Sequence, residues 1–183
     1  MVNISEVNIH SFGPKEIPNE AYYDCRYKIL REPLGFLPGS EILNDDGEAI
    51  HAFATVGSEI VGVGRIHLIP AESDGSQPDH AGPGAAICPP FSPLITSNAR
   101  PAVQIRQMGV LASNQRHGTG SKILKKLEQE AFSQFGAKYG FLQARENAVQ
   151  FYQSQGWTII DEPYTIPKIG RHYSMMKSLE SSF

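Results

Sequence analysis

Gln115, Arg116, His117, Gly118, Thr119, Gly120 and Ser121 make a turn-rich, glycine-bearing segment directly ahead of a long amphipathic run. A Gly-x-Gly turn feeding a helix N-terminus points several backbone N–H groups the same way. The helix dipole adds partial positive charge there, so the place suits a phosphate or pyrophosphate. Glycine matters because a Cβ would hold an anion away from the amides, and Arg116 and Lys122 add charge. On these residues alone the segment can equally be a plain tight turn. The nucleotide-binding alternatives fit poorly, since the chain has neither Gly-x-Gly-x-x-Gly nor Gly-Lys-Ser/Thr. Cys25 and Cys88 carry no nearby cue for a nucleophile, and no His/Cys/Asp cluster has metal-ligand spacing, so no metal is expected. Further along, Tyr152 stands between Phe151 and Trp157, which read as core; by itself Tyr152 reads as one more buried aromatic.

The elements around these residues follow from periodicity. Residues 102–112 read as a strand through Val103, Ile105, Val110 and Leu111. Residues 121–135 read as the best helix, with Ile123, Leu127, Ala131 and Phe135 every four residues and the charged side chains, Glu128 among them, mainly off that stripe. Gly136 is a natural C-terminal stop. After it come a strand (139–144), a helix (146–155, ended by Gly156), and strands at 157–160 and 172–177. Strand–helix–strand order over this half implies parallel pairing there, with antiparallel strands before it. Upstream, 2–12 alternates as a first strand, Asn19 is a plausible N-cap for a helix over 20–31, and 49–55 with 59–69 read as a hairpin. Gly62 and Gly64, in the second arm, mark a bulge or a close approach. The segment 70–101 is different in kind. Seven of its 32 residues are proline and it shows no periodicity, so it reads as a surface excursion rather than a lid.

Bulk properties bound the function. The chain has 183 residues, 40% of them hydrophobic, with a formal net charge of −3. That length and apolar content allow one α/β domain with a sizeable core. The mild acidity speaks against a nucleic-acid partner. No run approaches the roughly 18 apolar residues of a membrane span, and no basic-then-apolar signal opens the chain. Two cysteines make no disulfide framework, so a reducing, cytoplasmic setting is expected. Pairing of edge strands would permit a homodimer.

Gln115-x-x-Gly118-x-Gly120, between a strand and a long helix, resembles the pyrophosphate motif of the GNAT acyltransferases. Phe151-Tyr152-x-x-x-Gly156-Trp157, about 30 residues further on, resembles the same family's second signature. The match covers roughly 103–177 specifically. The ending, from Ile166-Pro167 to His172-Tyr173-Ser174-Met175, is similar to the ElaA-like branch, with an extra stretch between Pro and His. The resemblance implies a mixed α/β GNAT fold with antiparallel N-terminal strands and a parallel pair splayed at the cofactor site. It further implies acetyl-CoA as acyl donor and a small-molecule or peptide primary amine as acceptor. It assigns the pyrophosphate to the backbone of residues 115–121 and the pantetheine arm to the backbone at Val110. The Met108 N–H polarises the thioester carbonyl, and Tyr152 protonates the leaving thiolate.

The sequence departs from the family at the general base. A protonated amine must lose a proton before it attacks, and many members place Glu or His two or four positions before the thioester-binding residue. Here those positions are Arg106 and Gln104, and neither can serve. His172 is the best substitute, because imidazole titrates near neutrality; Glu32, Glu146 and His67 are weaker ones. The missing base keeps a non-catalytic acyl-CoA-binding module open as an alternative, alongside a longer-chain N-acyltransferase.

Overall fold

The computed structural model describes residues 6–180. Two compact units emerge: one holds the chain up to Ile66 with Gln107–Leu127, the other holds His67–Arg106 with the residues from Glu128 onward.

In the first unit, β1 (Val7–Phe12), β2 (Ile50–Val56) and β3 (Glu59–Leu68) form an antiparallel meander; β6 (Ala102–Val110), of which residues 107–110 belong to this unit, follows β3 in the strand order. The expected hairpin is present, turned at Gly57 with φ +60. Of the expected first strand, residues 2–5 lie outside the described residues. Helix α1 (Glu20–Leu30) starts where expected, since the Asn19 side chain accepts the Tyr22 N–H at 3.0 Å. Gly62 and Gly64 mark a close approach. A Cβ on Gly62 would stand 2.8 Å from Ile123 Cδ1, and one on Gly64 would stand 3.0 Å from Leu127 Cδ1. The helix carrying Ile123 and Leu127 is α3 (Thr119–Phe135), which begins two residues before its expected start and ends at Gly136, φ +61.

A buried polar network also belongs to this unit, and periodicity gives no sign of it. Arg26 and Arg65 are fully buried and both bond Asp46, at 2.9 and 2.8 Å; Arg65 also pairs with Asp45. His51 donates from Nε2 to the Asp46 carbonyl at 2.8 Å, and its Nδ1 lies 3.0 Å from the Tyr22 hydroxyl, which donates to the Gly64 carbonyl at 3.0 Å.

In the second unit, β6 opens parallel to β7 (Tyr139–Arg145), and the paired register ends at Gln104 and Phe141 although both strands continue. The parallel pairing expected across this half stops there. β10 (Gly170–Ser178) lies antiparallel to β7, and both β8 (Thr158–Ile159) and β9 (Tyr164–Ile166) lie antiparallel to β10. The link from β9 to β10 is three residues, 167–169, which suits a hairpin and is far too short for a parallel crossover.

The segment 70–101 is no loose excursion. It forms a two-stranded hairpin, β4 (Gln77–Pro78) with β5 (Ile87–Cys88), and a short helix α2 (Ser92–Ile95). Phe91 is fully buried, with its ring 5.0 Å from that of Phe141, and joins Ile69, Leu94, Ala99 and Ala102 in one cluster. Arg100 donates to the Pro70 carbonyl at 2.8 Å, closing the ends of the segment. Its prolines break periodicity without preventing burial.

Candidate functional site

The first candidate region, in the first unit, is the turn into α3. A 3-10 turn, Ala112–Asn114, leads to Arg116 and Gly118, both left-handed at φ +65 and +75. Among the described residues no acceptor meets the N–H groups of residues 116–121; Lys122 is the first to bond back, to the Gly118 carbonyl at 3.1 Å. The Thr119 hydroxyl is buried and has no partner among the described residues. Ser121 donates to the Gly118 carbonyl at 3.0 Å, which stiffens the turn. Open space surrounds Gly118, since a Cβ there would meet only Ser121 Oγ, at 3.9 Å. Free amides at the head of a seventeen-residue helix fit the oxygens of a pyrophosphate, and Thr119 adds a spare hydroxyl. Arg116 and His117 are exposed. The Gln115 amide donates to the Val110 carbonyl at 3.0 Å, which occupies one of that oxygen's two lone pairs.

Met108 and Val110 lie on the last stretch of β6. Just ahead of them Gln107 leaves strand geometry at φ +56, a conformation costing a non-glycine residue about 1 kcal/mol or more. Arg31 holds it there, donating to Gln107 Oε1 at 2.9 Å, and Ile29 with Leu30 of α1 packs where a side chain on Gly109 would go. The bend before Met108 is therefore fixed by α1.

The other candidates lie in the second unit. A 3-10 turn, Glu146–Ala148, runs into α4 (Val149–Ser154), and Gly156 at φ +90 lets the chain turn back into Trp157. Tyr152 is 9% exposed and its hydroxyl has no hydrogen-bond partner among the described residues; burial pushes its pKa up to about 12. The Trp157 ring meets Tyr152 edge-on at 6.2 Å and donates from Nε1 to Glu128 at 2.9 Å. Glu128 also takes Lys177, at 2.8 Å, and is buried, contrary to its expected place off the helix stripe. Trp157 is core as expected, whereas Phe151 is half-buried.

His172 is buried on β10, its ring stacked on Tyr164 at 5.6 Å. Nδ1 lies 2.8 Å from the Gly170 carbonyl, so that nitrogen carries the hydrogen and Nε2 keeps a lone pair. Burial holds its pKa below 6.5; the Gly170 carbonyl and Asp79 pull the other way, and Arg145 adds to the lowering. Tyr152 and His172 are not brought together. Trp157 lies over Gly140, on one face of β7, while His172 pairs across from Arg145, on the other.

The strand positions ahead of Met108 are closed to chemistry for a reason beyond residue type. Gln104 bonds Gln77, and Arg106 donates to Gln77 Oε1 at 3.0 Å and to the Pro78 and Asp79 carbonyls at 2.7 and 2.8 Å. Glu32 and Glu146 are exposed, and His67 is turned onto the Leu68 carbonyl at 3.1 Å. Arg145, Tyr164 and Asp79 are not singled out by sequence, and Cys88 reads there as an ordinary cysteine. Three of them stand in or beside stretches without periodicity, and Arg145 is hidden inside a motif read for its tyrosine. Among the described residues no group of three or more His, Cys, Asp or Glu could hold a metal, and no helix is long and apolar enough to cross a membrane.

Comparison with known proteins agrees with this geometry. The model of the acetyltransferase (GNAT) family matches residues 14–157. YitI of Bacillus subtilis (strain 168), an uncharacterized N-acetyltransferase, is 31% identical over 98 residues, covering 54% of this chain and 64% of that protein. Escherichia coli ElaA superposes with a TM-score of 0.66 at 18% identity, over 94% of this chain and all of that one. A GNAT family acetyltransferase from Elizabethkingia anophelis, solved with acetyl-CoA bound, superposes with a TM-score of 0.56 at 15% identity, over 94% and 97% of the two chains.

Proposed function

The chain belongs to the acetyltransferase (GNAT) family, and from that premise we propose that it transfers an acetyl group from acetyl-CoA to a primary amine of a small molecule or peptide. The observation that carries this reading is the run of unpartnered amides, residues 116–121, with the unpartnered Thr119 hydroxyl, at the head of α3. In the proposed assignment Gln115, Arg116, His117, Gly118, Thr119, Gly120 and Ser121 hold the pyrophosphate, chiefly through backbone. Val110 receives the pantetheine arm through its backbone, and the Met108 N–H polarises the thioester carbonyl. The amine nitrogen bonds to the thioester carbon as the carbon–sulfur bond breaks. Tyr152 gives its hydroxyl proton to the departing sulfur, and the amine proton reaches His172 Nε2 through an intervening water, because the two side chains stand on opposite faces of β7. Holding the reactants together and placing an amide at the developing charge supply most of the acceleration. The two buried free thiols suit a reducing, cytoplasmic setting.

The test is calorimetric titration of acetyl-CoA into the wild type and Gly120→Val. Micromolar binding is expected for the wild type, with at least a roughly tenfold loss in the variant, because a branched side chain crowds the amides. Absence of binding to the wild type would overturn the reading. Binding without transfer to any amine in a broad panel would leave a non-catalytic acyl-CoA-binding module.

A further inference from the structure

β7, β10 and β9 set Arg145, His172 and Tyr164 in one row, His172 standing directly opposite each of the other two. Residues so paired share a face with Cβ atoms about 5 Å apart. On the same face the 70–101 segment covers Phe141 with Phe91 and takes the Gln143 amide on the Pro89 carbonyl at 3.0 Å. Arg145 is the next residue along that face. Its half-buried guanidinium makes no hydrogen bond or ion pair among the described residues. Arg26, Arg31, Arg65, Arg100 and Arg106 all have such partners. Burial lowers the pKa of Arg145, and the charge of Asp79 offsets this in part. A half-buried fork of N–H donors with no acceptor from the described residues is available to an anionic group brought by a ligand.

Asp79, just past β4, acts electrostatically on Arg145, His172, Tyr164 and Cys88. The Tyr164 hydroxyl is buried and set against the Cys88 thiol, while its ring stacks on His172. We propose that this row is the acceptor subsite and that it selects an amine carrying a carboxylate beside it, an α-amino acid or close analogue, with Arg145 gripping the carboxylate and His172 receiving the amine proton. The proposal rests on the acetyl-transfer reading above. The Arg145 guanidinium matches a single ligand carboxylate, and the Asp79 carboxylate, which lies 3.2 Å from His80 Nδ1, would repel a phosphate dianion.

The common α-amino acids, each as free acid and as carboxamide, provide the test. Binding is measured by calorimetry with and without CoA, and turnover by thiol release from acetyl-CoA. The proteins are the wild type, Arg145→Gln and Arg145→Lys. At least one free acid should outperform its carboxamide by roughly 10- to 100-fold in Kd and in kcat/KM. Arg145→Gln should erase that preference through KM while leaving the acetyl-CoA Kd unchanged, and Arg145→Lys should recover part of it. The proposal is overturned if the wild type treats acids and carboxamides alike, if no free acid binds, or if Arg145→Gln weakens acetyl-CoA instead. Failure of the wild type to bind acetyl-CoA would count against acetyl transfer; the acid-against-carboxamide comparison in binding would still decide the subsite.

Discussion

Tyr152 and His172 differ in how the fold treats their polar atoms. The Tyr152 hydroxyl serves no structural bond among the described residues, so removing it should cost little stability. Tyr152→Phe is therefore expected to lower kcat by roughly 10²- to 10³-fold, in the range for a proton donor, with the acetyl-CoA Kd and the melting temperature nearly unchanged. Equal turnover in the variant would remove Tyr152 from the mechanism. For His172 the sign of the pH dependence follows from its surroundings. Burial lowers its pKa, Gly170 and Asp79 oppose that, Arg145 from β7 reinforces it, and Tyr164 with Cys88 completes the environment. A base must be unprotonated to work, so kcat/KM should hold constant around neutrality and fall only below pH 6.5. His172→Gln should lose about 100-fold and the acid limb with it; a variant that kept the limb would assign the proton elsewhere.

At the scale of elements, the turn that offers its amides depends on how closely α3 approaches β3. Gly64 makes that approach possible: an added Cβ would meet Leu127, Ile123 and Met108 at 3.0, 3.1 and 3.3 Å. Gly64→Val should cost about 1–3 kcal/mol by overpacking and weaken acetyl-CoA about tenfold by shifting the start of α3; thermal melts and titration read both, and unchanged values would separate the helix seat from the turn. This seat was legible as a question in the sequence, since two glycines inside an apolar strand ask what comes near. The helix and its stop were legible from four-residue spacing and Gly136. Glu128 was not. Its partners Trp157 and Lys177 lie 29 and 49 residues away, and no local pattern distinguishes a buried carboxylate from a solvated one. The hairpin of 70–101 was hidden for the same reason: its order comes from Arg106, Gln104 and Phe141, all distant in sequence.

For the molecule as a whole, stability should depend on pH through groups that carry no proposed chemistry. His51 is fully buried; burial first, with Arg26 and Arg65 adding to it, pushes its pKa down to about 4 against an ordinary 6.5, although Asp46 pulls it up. In the unfolded chain His51 binds its proton first as pH falls. Its contribution is thus complete above about pH 6.5 and is lost progressively down to about pH 4. A difference of about 2.5 units corresponds to roughly 3 kcal/mol, of which about 2 should be gone by about pH 5. His172, also held below its ordinary value by burial, adds to the same slope. Asp46 extends the loss to lower pH. Burial would raise its carboxyl, but Arg26, the Leu43 N–H and Arg65 together hold it below the usual carboxylate range, so its share disappears only as that carboxyl is protonated. Urea unfolding at pH 7, 6 and 5 should show the midpoint falling steadily while the slope with denaturant stays constant. A midpoint that is flat over this range would mean that His51 is not held neutral in the core. Asp46→Ala provides the complementary measurement: it strands two buried guanidinium groups and should cost about 3–5 kcal/mol at pH 7. The deficit should narrow toward acid pH, because the wild type gives up the same interaction there by protonation.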